Sequence, residues 1–143
     1  MHVSSISVYG NPPTSAGQIT EDTPIDQYLY PGDYYGRSKV LAEEVVRSYD
    51  DYVILRPSWI YGRRDFVSLP RVINMLRTRK IKLIGSGQNM LNLVNARDVA
   101  RGIVLAANAP RARSQAYHLC NRGEITQREF FALLCQRLDL PAV

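Results

Sequence analysis

Tyr35-Gly36-Arg37-Ser38-Lys39 places a phenol and an ammonium four residues apart, a spacing that puts both on one face of a helix. An ammonium beside a phenolic oxygen favours the phenolate. A phenol held in this way can pass a proton to or from a substrate hydroxyl or carbonyl at neutral pH. The same spacing also suits an ordinary surface helix in which Lys39 pairs with Glu43 on the next turn. The flanking segments weigh on the choice. Upstream, the stretch His2 to Gly10 carries β-branched Val3, Ile6 and Val8 and stops at Gly10-Asn11, the pattern of a short buried strand over residues 3–8. A hydroxyl at the C-terminal end of such a strand faces the crevice where open α/β sheets bind ligands. Downstream, residues 52–55 form a second apolar strand that runs through Arg56 into a Pro-broken loop.

Read in order, SSISVYG (4–10), YGRSK (35–39), LRPSWIYG (55–62), GSGQN (85–89) and RDVARGIVLAA (97–107) resemble the extended short-chain dehydrogenase/reductase family, the NAD-dependent epimerases and dehydratases. The resemblance covers nearly the whole chain. It implies an α/β fold: a partial Rossmann-like, doubly wound parallel sheet with part of a small substrate-binding lobe. It assigns the catalytic hydroxyl to Ser5, the general acid/base to Tyr35, and the ribose-holding, Tyr-tuning lysine to Lys39. Pro57, Ser58 and Ile60 fall where the family contacts the nicotinamide. The implied cofactor is NAD or NADP and the implied partner a small-molecule substrate. Read without the resemblance, Ser4, Ser5 and Ser7 are ordinary strand and turn serines, and Arg56 is a structural ion-pair partner.

The family's first half has no counterpart in these residues. A Gly-rich turn between a strand and a helix cradles the dinucleotide pyrophosphate in such folds, and no G-x-G-x-x-G occurs here; Gly85-Ser86-Gly87 is a lone turn. The expectation is therefore a single truncated domain, 1–143, the catalytic half of a larger enzyme. Within it the Tyr–Lys helix spans about 33–49, and lobe elements lie at about 66–95 and 117–143. A sheet lacking its first strands exposes an edge and apolar helix faces. Homo-oligomerisation, or pairing with the missing N-terminal half, follows as an expectation, and a strictly monomeric particle in light scattering counts against it. The rival reading is a non-catalytic remnant serving as a binding or oligomerisation module without cofactor.

Further elements are legible along the chain. Leu41, Val45 and Tyr49 form a stripe on the Tyr–Lys helix. Residues 69–78 read as a helix, 81–84 and 91–94 as short strands, and Asp98 as the N-cap of a helix over 99–108. Residues 117–119 read as a strand, and Thr126-Gln127-Arg128-Glu129 as a capping box opening a last helix through Leu138. Residues 11–33 form a long polar loop, of the kind that often lines a substrate entrance.

Composition bounds the partners. A hydrophobic fraction of 45% with 22% charged residues fits a globular chain. No apolar run reaches the ~18–20 residues of a membrane span, and the start lacks the basic-then-apolar pattern of a signal peptide, so no membrane partner and a cytoplasmic location are expected. The net charge of +5 gathers partly in Arg71, Arg77, Arg79, Lys80 and Lys82. Without interleaved aromatics this reads as a solvated face, not a nucleic-acid site. Cys120 and Cys135 lack metal-ligand spacing and read as two buried thiols, so no metal is expected. His118, within an apolar run, reads as a packed strand histidine.

Two departures bear on substrate. Family members acting on nucleotide sugars often carry Asn where this chain has Trp59, and a diphosphate-gripping Arg where it has Leu91. A buried diphosphate without such donors is poorly paired, so Trp59 and Leu91 point to a more apolar substrate than a standard UDP-sugar. Arg63 replaces the family's usual Pro, and Arg63-Arg64 offers an anion site by another route.

Overall fold

The computed structural model describes residues 1–123 and 125–142. They divide into two compact units: residues 1–58 with 97–120, and residues 59–96 with 121–143.

The first unit is built on a parallel sheet in the order β1-β2-β5, with β1 at His2–Val3, β2 at Val53–Pro57 and β5 at Gln115–Leu119. His2 pairs with Ile54 and Val53 with Gln115. β2, central, is buried along its whole length, as a strand flanked on both edges should be. α1 (Tyr34–Arg47) connects β1 to β2, and α3 (Ala96–Asn108) precedes β5. The core has two clusters. One is Val8, Tyr9 and Val40 with Ile6, Ile19, Ile25 and Leu29; the other is Val53, Leu55 and Ala112 with Ile103, Ala106, Tyr117 and Leu119.

The expected strand over 3–8 is corrected. Pairing stops after Val3, apart from the Ser4 amide donating to the Leu55 carbonyl at 2.7 Å, and Ile6–Tyr9 forms a 3₁₀ turn. The serines cause this. The Ser5 hydroxyl accepts the Ser7 amide at 3.1 Å and donates to the Ser7 hydroxyl at 3.1 Å, offering the backbone an alternative to the ladder. Gly10 closes the turn at φ 68°, where a Cβ would stand 2.1 Å from the Tyr28 carbonyl oxygen.

α1 starts at Asp33, whose carboxylate accepts the Gly36 amide at 2.8 Å, the expected N-cap chemistry. Its buried face is Gly36, Val40 and Glu43. The stripe read from sequence lies elsewhere, with Leu41, Val45 and Tyr49 at 50%, 62% and 66% exposure. The periodicity failed because a charged residue, Glu43, is drawn inward by Arg56. Gly36 lets the helix meet the 3₁₀ turn: a Cβ there would lie 2.6 Å from Leu29 Cδ2 and 2.8 Å from the Ser7 carbonyl oxygen. Gly36→Ala is expected to cost about 1–3 kcal/mol by overpacking; denaturant unfolding matching the wild type removes this account of the contact.

The second unit holds the two-stranded parallel pair β3 (Trp59–Tyr61) and β4 (Leu93–Asn95), with α2 (Ser68–Arg77) and α4 (Gln127–Arg137). Its core is Leu76, Leu93, Phe130, Phe131 and Cys135. β3 lies where a loop was expected; Pro57 ends β2 in register with Leu119, and the chain resumes pairing two residues later. The strand expected at 81–84 does not form. The Ile81 amide donates to the Met75 carbonyl and the Ile84 amide to Gln127 Oε1 at 2.7 Å, so the segment's donors are used by helix-end and side-chain acceptors. The capping box at Thr126 forms with both bonds present. Cys135 is buried but Cys120 is exposed, a correction explained by its place just past the end of β5.

Candidate active site

Tyr35 and Lys39 stand one turn apart at the N-terminal end of α1. The Lys39 ammonium is 5.8 Å from the centroid of the Tyr35 ring and donates to the Val3 carbonyl at 3.3 Å. Tyr35 is 58% exposed, open to a reactant. The Ser38 hydroxyl bonds back to the Tyr35 carbonyl at 2.7 Å. Ser5, half-buried, caps the 3₁₀ turn against which α1 packs through Gly36. All three residues therefore belong to adjoining segments at the C-terminal end of β1, where parallel sheets take ligands.

At the same end of the central strand, Pro57 closes β2 and Ser58 follows it. The Ser58 amide donates to the Leu119 carbonyl at 2.9 Å, and its hydroxyl is buried with no partner among the described residues. An unpaired buried hydroxyl and a lysine ammonium at this edge suit the hydroxyls and carboxamide of a nicotinamide riboside. The fit is to that end of a dinucleotide, since the sequence supplies no Gly-rich turn for the pyrophosphate.

Trp59, Ile60, Arg63 and Leu91 lie in the second unit. Trp59 and Leu91 pack against that unit's core, Trp59 edge-on to Phe130 with ring centroids 5.8 Å apart. Arg63 and Arg64 are exposed, and Ile60 is 39% exposed.

A buried polar network below the Tyr–Lys helix was only partly legible. Arg56, 1% exposed, donates from Nε and Nη2 to the two carboxylate oxygens of fully buried Glu43 at 2.9 and 2.7 Å. Its Nη1 donates to the Tyr9 hydroxyl and to the Glu21 carbonyl at 3.2 Å. The Tyr9 hydroxyl also lies 3.0 Å from the Thr20 carbonyl and 2.7 Å from His118 Nε2, while the His118 amide donates to the Glu21 carboxylate at 2.8 Å. Arg56 is thus an ion-pair partner, and Glu43 belongs to it and not to Lys39. Burial opposes ionisation of Glu43, yet the hydrogen bonds and charge of Arg56 prevail and hold its carboxyl below the usual range. Burial, helped by Arg56, pushes the His118 imidazole down against the pull of Glu21 and Glu43.

The model of the NAD dependent epimerase/dehydratase family matches residues 1–120. Among curated relatives, the chain is 32% identical over 138 residues to an uncharacterized protein, y4nL, of Sinorhizobium fredii, covering 92% of this chain and 38% of that one. It is 31% identical over 134 residues to the human sterol-4-alpha-carboxylate 3-dehydrogenase, decarboxylating, covering 86% of this chain and 35% of that one. Among solved structures, DesIV, the dTDP-glucose 4,6-dehydratase of Streptomyces venezuelae with NAD and TYD bound, matches at a TM-score of 0.72 and 28% identity, over 98% of this chain and 44% of that one. The chain spans less than half the length of each.

Proposed function

Because the chain belongs to the NAD-dependent epimerase/dehydratase family, we propose that it carries the proton-transfer and nicotinamide-facing part of a redox site acting at a carbinol or carbonyl carbon. Tyr35 exchanges the proton with the reacting oxygen. Ser5 hydrogen-bonds that same oxygen. Lys39, beside the Tyr35 ring, reaches the nicotinamide ribose, and Ser58 and Pro57 line the same edge. A bound NAD or NADP supplies or takes the hydride. The observation that carries this reading is the Lys39 ammonium 5.8 Å from the ring of an exposed Tyr35.

The substrate proposed is more apolar than a standard UDP-sugar. Leu91 offers no side-chain donor for a diphosphate and Trp59 only a single uncharged indole N–H, and a relative 31% identical is named for a sterol carboxylate. Arg63 and Arg64 remain available for an anionic group. The exposed α1 stripe and the singly paired β1 edge support self-association, and a cytoplasmic setting accompanies the reading. The test is a substrate panel run on the protein that contains these residues, with NADH and NADPH. Turnover of apolar hydroxyl or carbonyl compounds supports the proposal; turnover of UDP-sugars alone removes the substrate assignment.

A further inference from the structure

We propose that Arg56 is a positioning residue, whose buried guanidinium fixes the Ser5 turn, the Tyr35–Lys39 helix and the 11–33 loop in one arrangement. Neutralising Glu43 would need a single cation in contact. Arg56 does more, because its donors are divided among three segments remote in sequence. Two nitrogens hold the Glu43 carboxylate on α1. The third holds Tyr9, in the turn that Ser5 caps, and the Glu21 carbonyl in the loop. Tyr9 repeats the pattern by meeting Thr20 of the loop and His118 of β5. At the surface, Arg37 of α1 grips both oxygens of Asp26 in the loop at 2.9 Å, so helix and loop are joined on two levels.

The energetics favour a geometric role. A buried ion pair is about as stabilising as well-packed apolar residues of equal volume, and often less so. What it adds here is direction. The planar fork of a guanidinium presents donors at fixed angles, so α1 and the Tyr9 turn cannot shift relative to each other without breaking a charged, buried hydrogen bond. A shift of about 1 Å in a reactive constellation can cost 100-fold in rate, which is the scale of error such a fork prevents. The lysine of an Arg56→Lys variant keeps the charge but cannot span the same acceptors.

This role rests on the reading of Ser5, Tyr35 and Lys39 as the reactive site, and its test needs no turnover, so the two fail separately. Site-resolved amide hydrogen exchange is measured on the 143-residue chain. Four amides report the segments: Ser7, bonded to the Ser5 hydroxyl; Asp26, bonded to the Val8 carbonyl; Gly36, bonded to Asp33; and His118, bonded to Glu21. Val99→Ala, a core truncation on α3 outside the network, controls for general loss of stability. In Arg56→Lys the four amides are expected to exchange at least about tenfold faster relative to those of β2, while in Val99→Ala they keep their wild-type ratio. Tyr9→Phe removes one hydroxyl with little change of volume and decides the matter if Arg56→Lys does not fold; there Ser7 and Asp26 are expected to accelerate. Ratios matching the control in the folded variants overturn the proposal.

Discussion

Tyr35→Phe is expected to lower turnover by about 100- to 10,000-fold, the range for loss of a positioned general acid/base, in the protein that contains these residues. The fold should persist, because the ring is more than half exposed and the substitution removes one hydroxyl. Circular dichroism and thermal unfolding confirm the fold while a nicotinamide-linked assay reads the rate. Loss of rate with no loss of dinucleotide affinity places the hydroxyl in the chemical step. Wild-type turnover removes Tyr35 from proton transfer.

Glu43→Ala is expected to destabilise the first unit by about 3–5 kcal/mol, because it strands the Arg56 charge in the interior. The exposed pair Arg37–Asp26 serves as the contrast: Asp26→Ala should cost at most about 1 kcal/mol. Equal effects in denaturant unfolding would contradict the burial argument. The pH dependence has a definite direction. Glu43 has a folded pKa below its ordinary 4.5, so its stabilisation is complete above that pH and is lost as pH falls through the folded value. His118 has a folded pKa below its ordinary 6.5, so the unfolded chain takes up that proton first and stability declines as pH drops below about 6.5. Wild-type stability should therefore fall in two stages on acidification. Glu43→Gln should reduce the lower stage, to which Glu21, Asp65 and Glu129 also contribute with carboxyls held below their ordinary values, and keep the upper. An unchanged acid limb in Glu43→Gln would show that another carboxylate governs it.

The Tyr35–Lys39 face and most helices were legible because they rest on local rules: helical spacing, a capping box at Thr126 and an apolar central strand; the N-cap read at Asp98 instead lies inside α3, which begins at Ala96. What failed involved partners distant in sequence. Hydrophobic periodicity selected Leu41, Val45 and Tyr49 as a stripe, whereas the buried face contains a glutamate, and only Arg56, thirteen residues on, makes that possible. The strand over 3–8 was read from its β-branched residues, but the Ser5 and Ser7 hydroxyls turned the chain instead. A run of alternating serines was the available signal, since such side chains compete with a strand ladder. The strand Trp59–Tyr61 was hidden by Pro57, which ends one strand without preventing the next, whereas its partner Leu93–Asn95 overlaps the strand read at 91–94.

The site itself shows the same division. Lys39 beside Tyr35 follows from spacing alone, while the approach of the Ser5 turn depends on the absent side chain of Gly36. Tyr9, Glu21 and His118 sit far apart in the chain, and no spacing rule joins them. The buried Ser58 hydroxyl likewise emerges only once β2 is paired on both sides.

The most direct measurement is a calorimetric titration of NADH and NADPH into the protein containing these residues, wild type against Lys39→Met. The account predicts saturable binding of at least one dinucleotide, weakened about tenfold or more in the variant, as expected for loss of a charged hydrogen bond. Absence of binding, or equal affinity in both proteins, would contradict a nicotinamide site built on Lys39.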